Sequence, residues 1–308
     1  MEELNEVEIL SKFNQLLKDL PERKTLSKIK TFNVSIEIFN GNYDELLEQL
    51  VRHNTPEFYM SLRSQGKEKL HKYQREISRY LHNYFASAVS LIDHTRVHHK
   101  ELYKENSRFL DYQNEIDARF VNNPLSSFVK DLRQYFQHYK IPMMSSSISI
   151  NKDDKDFTVK LLLSLEELMN FSGWNSFSKK FINEQGKSID LIAVVLEYHL
   201  LIKDFYEWFG QRQYDIHKQD REKVDELEQA IWALSVNVFL KQLVSKPWNL
   251  DDLIKGLSRF IDPNNLNEVT NLTVSDLEKV KKLIELINGF YSIDKELKNK
   301  IISTCQER

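Results

Sequence analysis

Cysteine is almost missing from this chain: Cys305 stands alone among 308 residues. One thiol excludes an internal disulfide and any zinc site built on several thiolates, and it fits a reducing compartment. Glycine and proline are scarce too, at 7 and 6 residues, which removes the usual punctuation of loops and leaves room for long helices. Charge of one sign is also lacking. The 43 basic and 46 acidic side chains leave a net charge of −3, so no overall field draws the chain to nucleic acid, and any such contact needs a local basic patch. Long apolar runs do not occur; the longest, around Leu191–Leu196, is bounded by Asp190 and Glu197 and is too short to span a bilayer. The opening MEELNEVEIL is acidic where a signal peptide is basic. The expectation is a cytoplasmic protein with no membrane association.

What remains is ordinary in bulk and rich in rings. Hydrophobic residues make up 41% and charged residues 29%, with 18 Phe and 13 Tyr, a composition suited to a helical core. Hydrophobic spacing predicts a short helix over 3–19, then a strand where Phe32, Val34, Ile36 and Ile38 alternate, a turn at Asn40–Asn42, and a helix over 43–53. A long amphipathic helix is expected from about Lys67 to Lys100, followed by helices over 102–120 and 124–140, with Asn123 capping the last and Pro124 at its first position. SSSISI at 145–150 and FTVKLLL at 157–163 read as a β-hairpin around the polar NKDDKD. Helices resume over 165–184, 188–218 and 222–246, and a smaller set follows at 249–261, 275–290 and 293–305. The expected segments are therefore 1–60 (helix and strand), 67–246 (helical bundle with the hairpin near 145–163) and 247–308 (C-terminal helices).

Two stretches share a spacing that carries chemistry. LRQYFQHYKIP at Leu132–Pro142 places Arg133 five residues before His138, and RQYDIH repeats the interval at Arg212 and His217. Arginine stays charged and grips phosphate with two prongs, whereas histidine titrates near neutrality and can move a proton. Metal-free cleavage of RNA needs both abilities. Five helical residues turn through about 140° and rise about 7.5 Å, so one helix does not converge the pair and two copies about a two-fold axis do so better.

The context FVKDLRQYFQHYKIP, on a helix that begins after Asn-Asn-Pro and stops at Pro142, resembles the signature helix of the HEPN superfamily. Members of that superfamily are α-helical bundles, many of them metal-independent endoribonucleases of toxin–antitoxin, abortive-infection and CRISPR systems. The resemblance covers about residues 67–246, with the hairpin as an insertion, and implies a mainly α fold with additional terminal helices. It implies Arg133, Gln134 and His138 as catalytic residues, RNA as substrate, a homodimer, and an antitoxin or defence-system partner protein. The usual residue after the arginine is a small polar one such as asparagine, where this chain has Gln134. The first copy is preferred to Arg212 and His217 because Leu132, Tyr135, Phe136 and Pro142 supply the helix-to-breaker context. The alternative is a catalytically inactive HEPN-like binding or scaffold protein.

Other clusters carry less. LIDHTRVHHK at 91–100 reads as a basic helix face, from which Arg96 and His98, with Lys140, are expected to touch substrate. His94 and His98 have a zinc-compatible spacing but no third ligand, so no metal is expected. Glu197, His199, Asp204, Glu207 and Trp208 fall among core aromatics, and Asp153, Asp154 and Asp156 read as a solvated turn. No Walker loop, dinucleotide fingerprint or Gly-x-Ser-x-Gly occurs, and no cofactor is expected.

Overall fold

The computed structural model describes residues 5–105, 108–142, 144–150 and 157–306. Among these, fourteen helices and one three-stranded sheet make the protein mainly helical. The chain divides into two units, Ser27–Ile216 and the combination of Met1–Leu26 with His217–Arg308. These boundaries run across the segment limits read from the sequence.

The expected strand and turn near the N-terminus are absent. Pro21–Asn54 is one helix, α2, after α1 (Glu6–Asp19). Its buried positions Ile29, Phe32, Phe39, Leu46, Leu50 and His53 follow the helical period, while Val34 and Ile38 stand 47% and 56% exposed. A four-residue alternation has lost to a periodicity sustained over seven turns. Asn42 spends its turn-forming side chain on a hydrogen bond to the Ile38 carbonyl at 2.8 Å. Gly41 sits in this helix with nothing within 4 Å of where a Cβ would lie. Gly41→Ala is therefore expected to stabilise the fold by about 1 kcal/mol, read as a higher urea midpoint with an unchanged slope.

α3 (Pro56–Ser64) leads through Gly66, whose φ of 101° suits glycine, into α4 (Lys67–Tyr103). At 37 residues α4 is about 55 Å long. The helix expected over 102–120 shrinks to α5 (Tyr112–Arg119). α6 (Pro124–His138) begins as read: the Asn123 side chain accepts from the Ser126 amide at 3.0 Å and donates to the Arg119 carbonyl at 3.1 Å, so one residue ends α5 and starts α6.

β1 (Met144–Ile150) and β2 (Phe157–Ser164) pair antiparallel, Met144 opposite Leu163. The hairpin is as expected, although its NKDDKD tip, with the three aspartates, lies outside the described residues. A third strand, β3 (Ser188–Asp190), adds to β2 through Leu163 and Ile189 where the sequence suggested helix. α7 (Leu165–Met169) and α8 (Ser176–Glu184) precede it, and α9 (Leu191–Ile216) follows. The core of this unit is aromatic: Tyr84, Phe85, Phe128, Tyr135, Phe205 and Phe209 are fully enclosed.

In the other unit α10 (Lys218–Val244) packs on α1 through Leu17, Leu20, Val224 and Ile231. It also supports α11 (Leu250–Leu257), α12 (Pro263–Thr270), α13 (Asp276–Phe290) and α14 (Lys295–Gln306) over a second core around Leu240, Leu253 and Leu283. α11 comes close enough that a Cβ on Gly256 would meet the Phe239 ring at 1.8 Å, so any larger residue there requires that ring to move.

Candidate functional site

α6 buries Leu125, Phe128, Val129, Leu132, Tyr135 and Phe136 as one stripe. Asp131 is buried beside them, and its Oδ2 accepts from the Asn175 amide at 2.8 Å and from Ser178 Oγ at 2.7 Å. That pair of bonds fixes α6 against the first turn of α8. Arg133 lies at the margin of the stripe, half-buried. Its Nε is shielded from solvent and has no hydrogen-bond partner, and no ion pair engages its guanidinium among the described residues. Gln134 is exposed, and His138 is the last helical residue, also exposed. The C-terminal end of a helix favours a cationic side chain.

Around that end the charges are organised. Lys140 Nζ lies 2.8 Å from Glu167 Oε1, and the Tyr135 hydroxyl donates to the same carboxylate at 3.5 Å. Burial first, then Glu167, raises the Tyr135 phenol far above its ordinary range, so it remains a donor. Lys140 is thus partly neutralised rather than free for phosphate.

The second Arg–His copy is placed differently. Arg212 Nε reaches both carboxylate oxygens of Asp111, at 3.0 and 3.2 Å. His217 is only 2% exposed, stands at the N-cap of α10, and holds Asp220 through Nδ1 at 2.5 Å. Both members of this copy are engaged in the fold.

The expected substrate contacts divide. Arg96 is on the surface, paired with Asp93 at 3.2 Å. His98 is corrected to a core residue: it is 7% exposed, stacks on Phe32 with ring centroids 4.3 Å apart, and accepts from the Gln213 side-chain amide at 2.7 Å. The signal was in the sequence, since Leu91, Thr95 and His98 share one helical stripe. His94 is exposed and bonds Ser35 Oγ at 2.8 Å, so the two histidines four apart face different surroundings. Among the described residues no group of three or more potential ligands is arranged to hold a metal.

Two clefts in the Ser27–Ile216 unit had no counterpart in the sequence reading. One, of about 520 Å³, lies between α2 and α9 and includes His199. That imidazole stacks on Tyr43 with centroids 3.4 Å apart, and desolvation lowers its pKa to about 4. The other, of about 480 Å³, is framed by α4, α5, α6 and α9. No helix among the described residues is long and apolar enough to cross a membrane. In comparisons with known proteins the chain matches no family model, and no curated protein or solved structure is significantly similar to it.

Proposed function

We propose that the protein is a metal-independent endoribonuclease of HEPN type, acting at the C-terminal half of α6. The observation that carries this reading is the contrast between the two Arg–His copies. Arg212 and His217 are spent on carboxylates, whereas Arg133 and His138 have no partner among the described residues. The shielded, unsatisfied Nε of Arg133 costs roughly 1–3 kcal/mol, and no carboxylate among the described residues engages the rest of the half-buried guanidinium. A phosphodiester, with its two non-bridging oxygens, supplies the acceptor that the planar guanidinium of Arg133 lacks. His138 then moves the proton between the attacking 2′-hydroxyl and the leaving 5′-oxygen, and Arg133 holds the charge that develops on phosphorus-bound oxygen. Gln134, exposed beside Arg133, is a further donor for the same phosphate. Because the two side chains diverge on one helix, the site is composite, formed where α6 meets its copy in a homodimer. Toxin or phage-defence action, with an antitoxin or defence-system partner, follows from the same resemblance.

The test is cleavage of a labelled RNA in EDTA. Wild type is expected to cut, and His138→Ala to lose the activity while keeping its far-ultraviolet circular dichroism and its melting temperature, since an exposed residue costs little to truncate. Specific activity should also fall on dilution as the dimer dissociates. An intact wild type that leaves RNA uncut under all these conditions overturns the catalytic reading in favour of a binding or scaffold role for the same helices.

A further inference from the structure

The 480 Å³ cleft is framed by four helices that come together only in the fold: Ile92 and Arg96 from α4, Tyr112 and Ile116 from α5, Ser127 and Lys130 from α6, Phe205 and Tyr206 from α9. Its volume is that of a pocket for one small molecule. The lining is rich in aromatic rings, with Tyr112, Phe120, Tyr198, Phe205 and Tyr206. Thr95 donates its hydroxyl to the Leu91 carbonyl at 2.7 Å, so the Tyr206 hydroxyl, 2.6 Å from Thr95 Oγ1, is the donor of that pair. Tyr206 therefore asks no hydrogen bond of a ligand and offers it a ring face.

The charge of the cleft is one-sided. In a chain with slightly more acids than bases, this cleft is lined by two cations, Arg96 and Lys130, and by no carboxylate. Arg96 is held only by an exposed pair with Asp93, an interaction worth at most about 1 kcal/mol and readily exchanged for a ligand. Lys130 has no ion-pair partner among the described residues. Tyr112 and Tyr206 have phenols raised by burial and carry no charge near neutrality. Nothing in the cleft opposes an anion.

The geometry points to a binding site for a small amphiphilic anion: an aromatic or similarly apolar body laid on Tyr112, Phe205 and Tyr206, with one carboxylate, sulfonate or phosphate between Arg96 and Lys130. This site is separate from the one proposed for RNA. The cleft takes Ser126, Ser127 and Lys130 from the first half of α6, and the Arg–His pair lies in the second half. Lys130 stands one turn before Arg133 and eight residues, about 12 Å along the axis, before His138, and no residue lines both sites.

The probe is anilinonaphthalene sulfonate, an aromatic anion that fluoresces when shielded from water, titrated into the full chain beside its uncharged relative phenylnaphthylamine. Saturable one-to-one binding of the sulfonate is expected, tighter than that of the neutral dye. The Arg96→Gln/Lys130→Gln double variant should weaken the sulfonate by about tenfold, the loss of two charge-assisted contacts, and leave the neutral dye unchanged. Both replacements are at the surface, so the fold should not notice them. Ser127→Trp, which adds an indole to the lining, should weaken both dyes. The proposal is overturned if wild type gives no saturable signal, or if the double variant binds the sulfonate as well as wild type does. It is equally overturned if Ser127→Trp changes neither dye. None of these readouts uses RNA, so they stand or fall independently of the ribonuclease assay.

Discussion

Arg133→Lys is expected to slow metal-independent RNA cleavage nearly as much as Arg133→Ala, by roughly thirtyfold to a thousandfold, or about 2–4 kcal/mol of transition-state stabilisation. The ammonium keeps the charge but not the planar fork, and the fork is what a phosphorane-like transition state meets. Arg212 serves as the internal control. Its guanidinium is committed to Asp111, so Arg212→Lys and Arg212→Ala should leave the single-turnover rate within about twofold and cost at most about 1 kcal/mol of stability. Single-turnover rates for the four variants decide the assignment. Loss at Arg212 with retention at Arg133 would move the site to the end of α9.

Acid should weaken the Ser27–Ile216 unit well before its carboxylates are protonated, and His199 should be a main cause. Only 7% of it is exposed, and it is stacked against Tyr43 and Phe39. Desolvation by those neighbours lowers its pKa to about 4; Asp44 pulls the other way and Lys203 adds a little to the lowering. A base whose pKa is lower folded than unfolded binds protons preferentially in the unfolded chain. The neutral ring is therefore compatible with the fold above about pH 6.5, and stability drains away as pH falls from there toward 4. The full shift corresponds to about 3 kcal/mol. His53 and His99 are lowered in the same direction by burial, so the fall is shared. His199→Phe keeps the ring stack and removes the proton site. Urea midpoints at pH 7.5 and pH 4.5 should converge for this variant relative to wild type; an identical pH dependence in both proteins would show that His199 does not contribute.

The sequence disclosed the long helices because their signal is redundant. α4 repeats its apolar stripe for ten turns, and α6 adds an Asn cap and a Pro at its first position, so one misleading residue cannot disturb either. Phe32–Ile38 misled for the opposite reason: four alternating positions suffice to suggest a strand, and only the wider spacing of Ile29, Phe39 and Leu46 restores the helix. β3 escaped because three residues, Ser-Ile-Asp, run directly into the apolar start of α9 with no breaker between them. The Arg–His motif was visible as a motif, and the flanking Leu132, Tyr135, Phe136 and Pro142 favoured one copy, yet the sequence did not show which copy is engaged by carboxylates. That difference depends on Asp111 and Asp220 being in reach, one of them about a hundred residues away from its arginine. The cleft was invisible for the same reason, since Arg96 and Lys130 come to line one cleft only after four helices have packed.

One buried carboxylate has a bearing on how any search for functional residues in this protein would turn out. Asp131 holds the backbone of Asn175 and the hydroxyl of Ser178, and it stands two residues before Arg133 on the same helix. A random-mutagenesis screen scored only on lost activity will recover Asp131 alongside Arg133 and His138, and an acidic residue beside that pair invites the role of a proton acceptor. Asp131 is buried, and its Oδ2 is already held twice inside the protein, so a hit there reports a loosened helix. Limited proteolysis of each recovered variant separates the two classes, because the Asp131 variants become cleavable around α8 while the Arg133 and His138 variants stay as resistant as wild type.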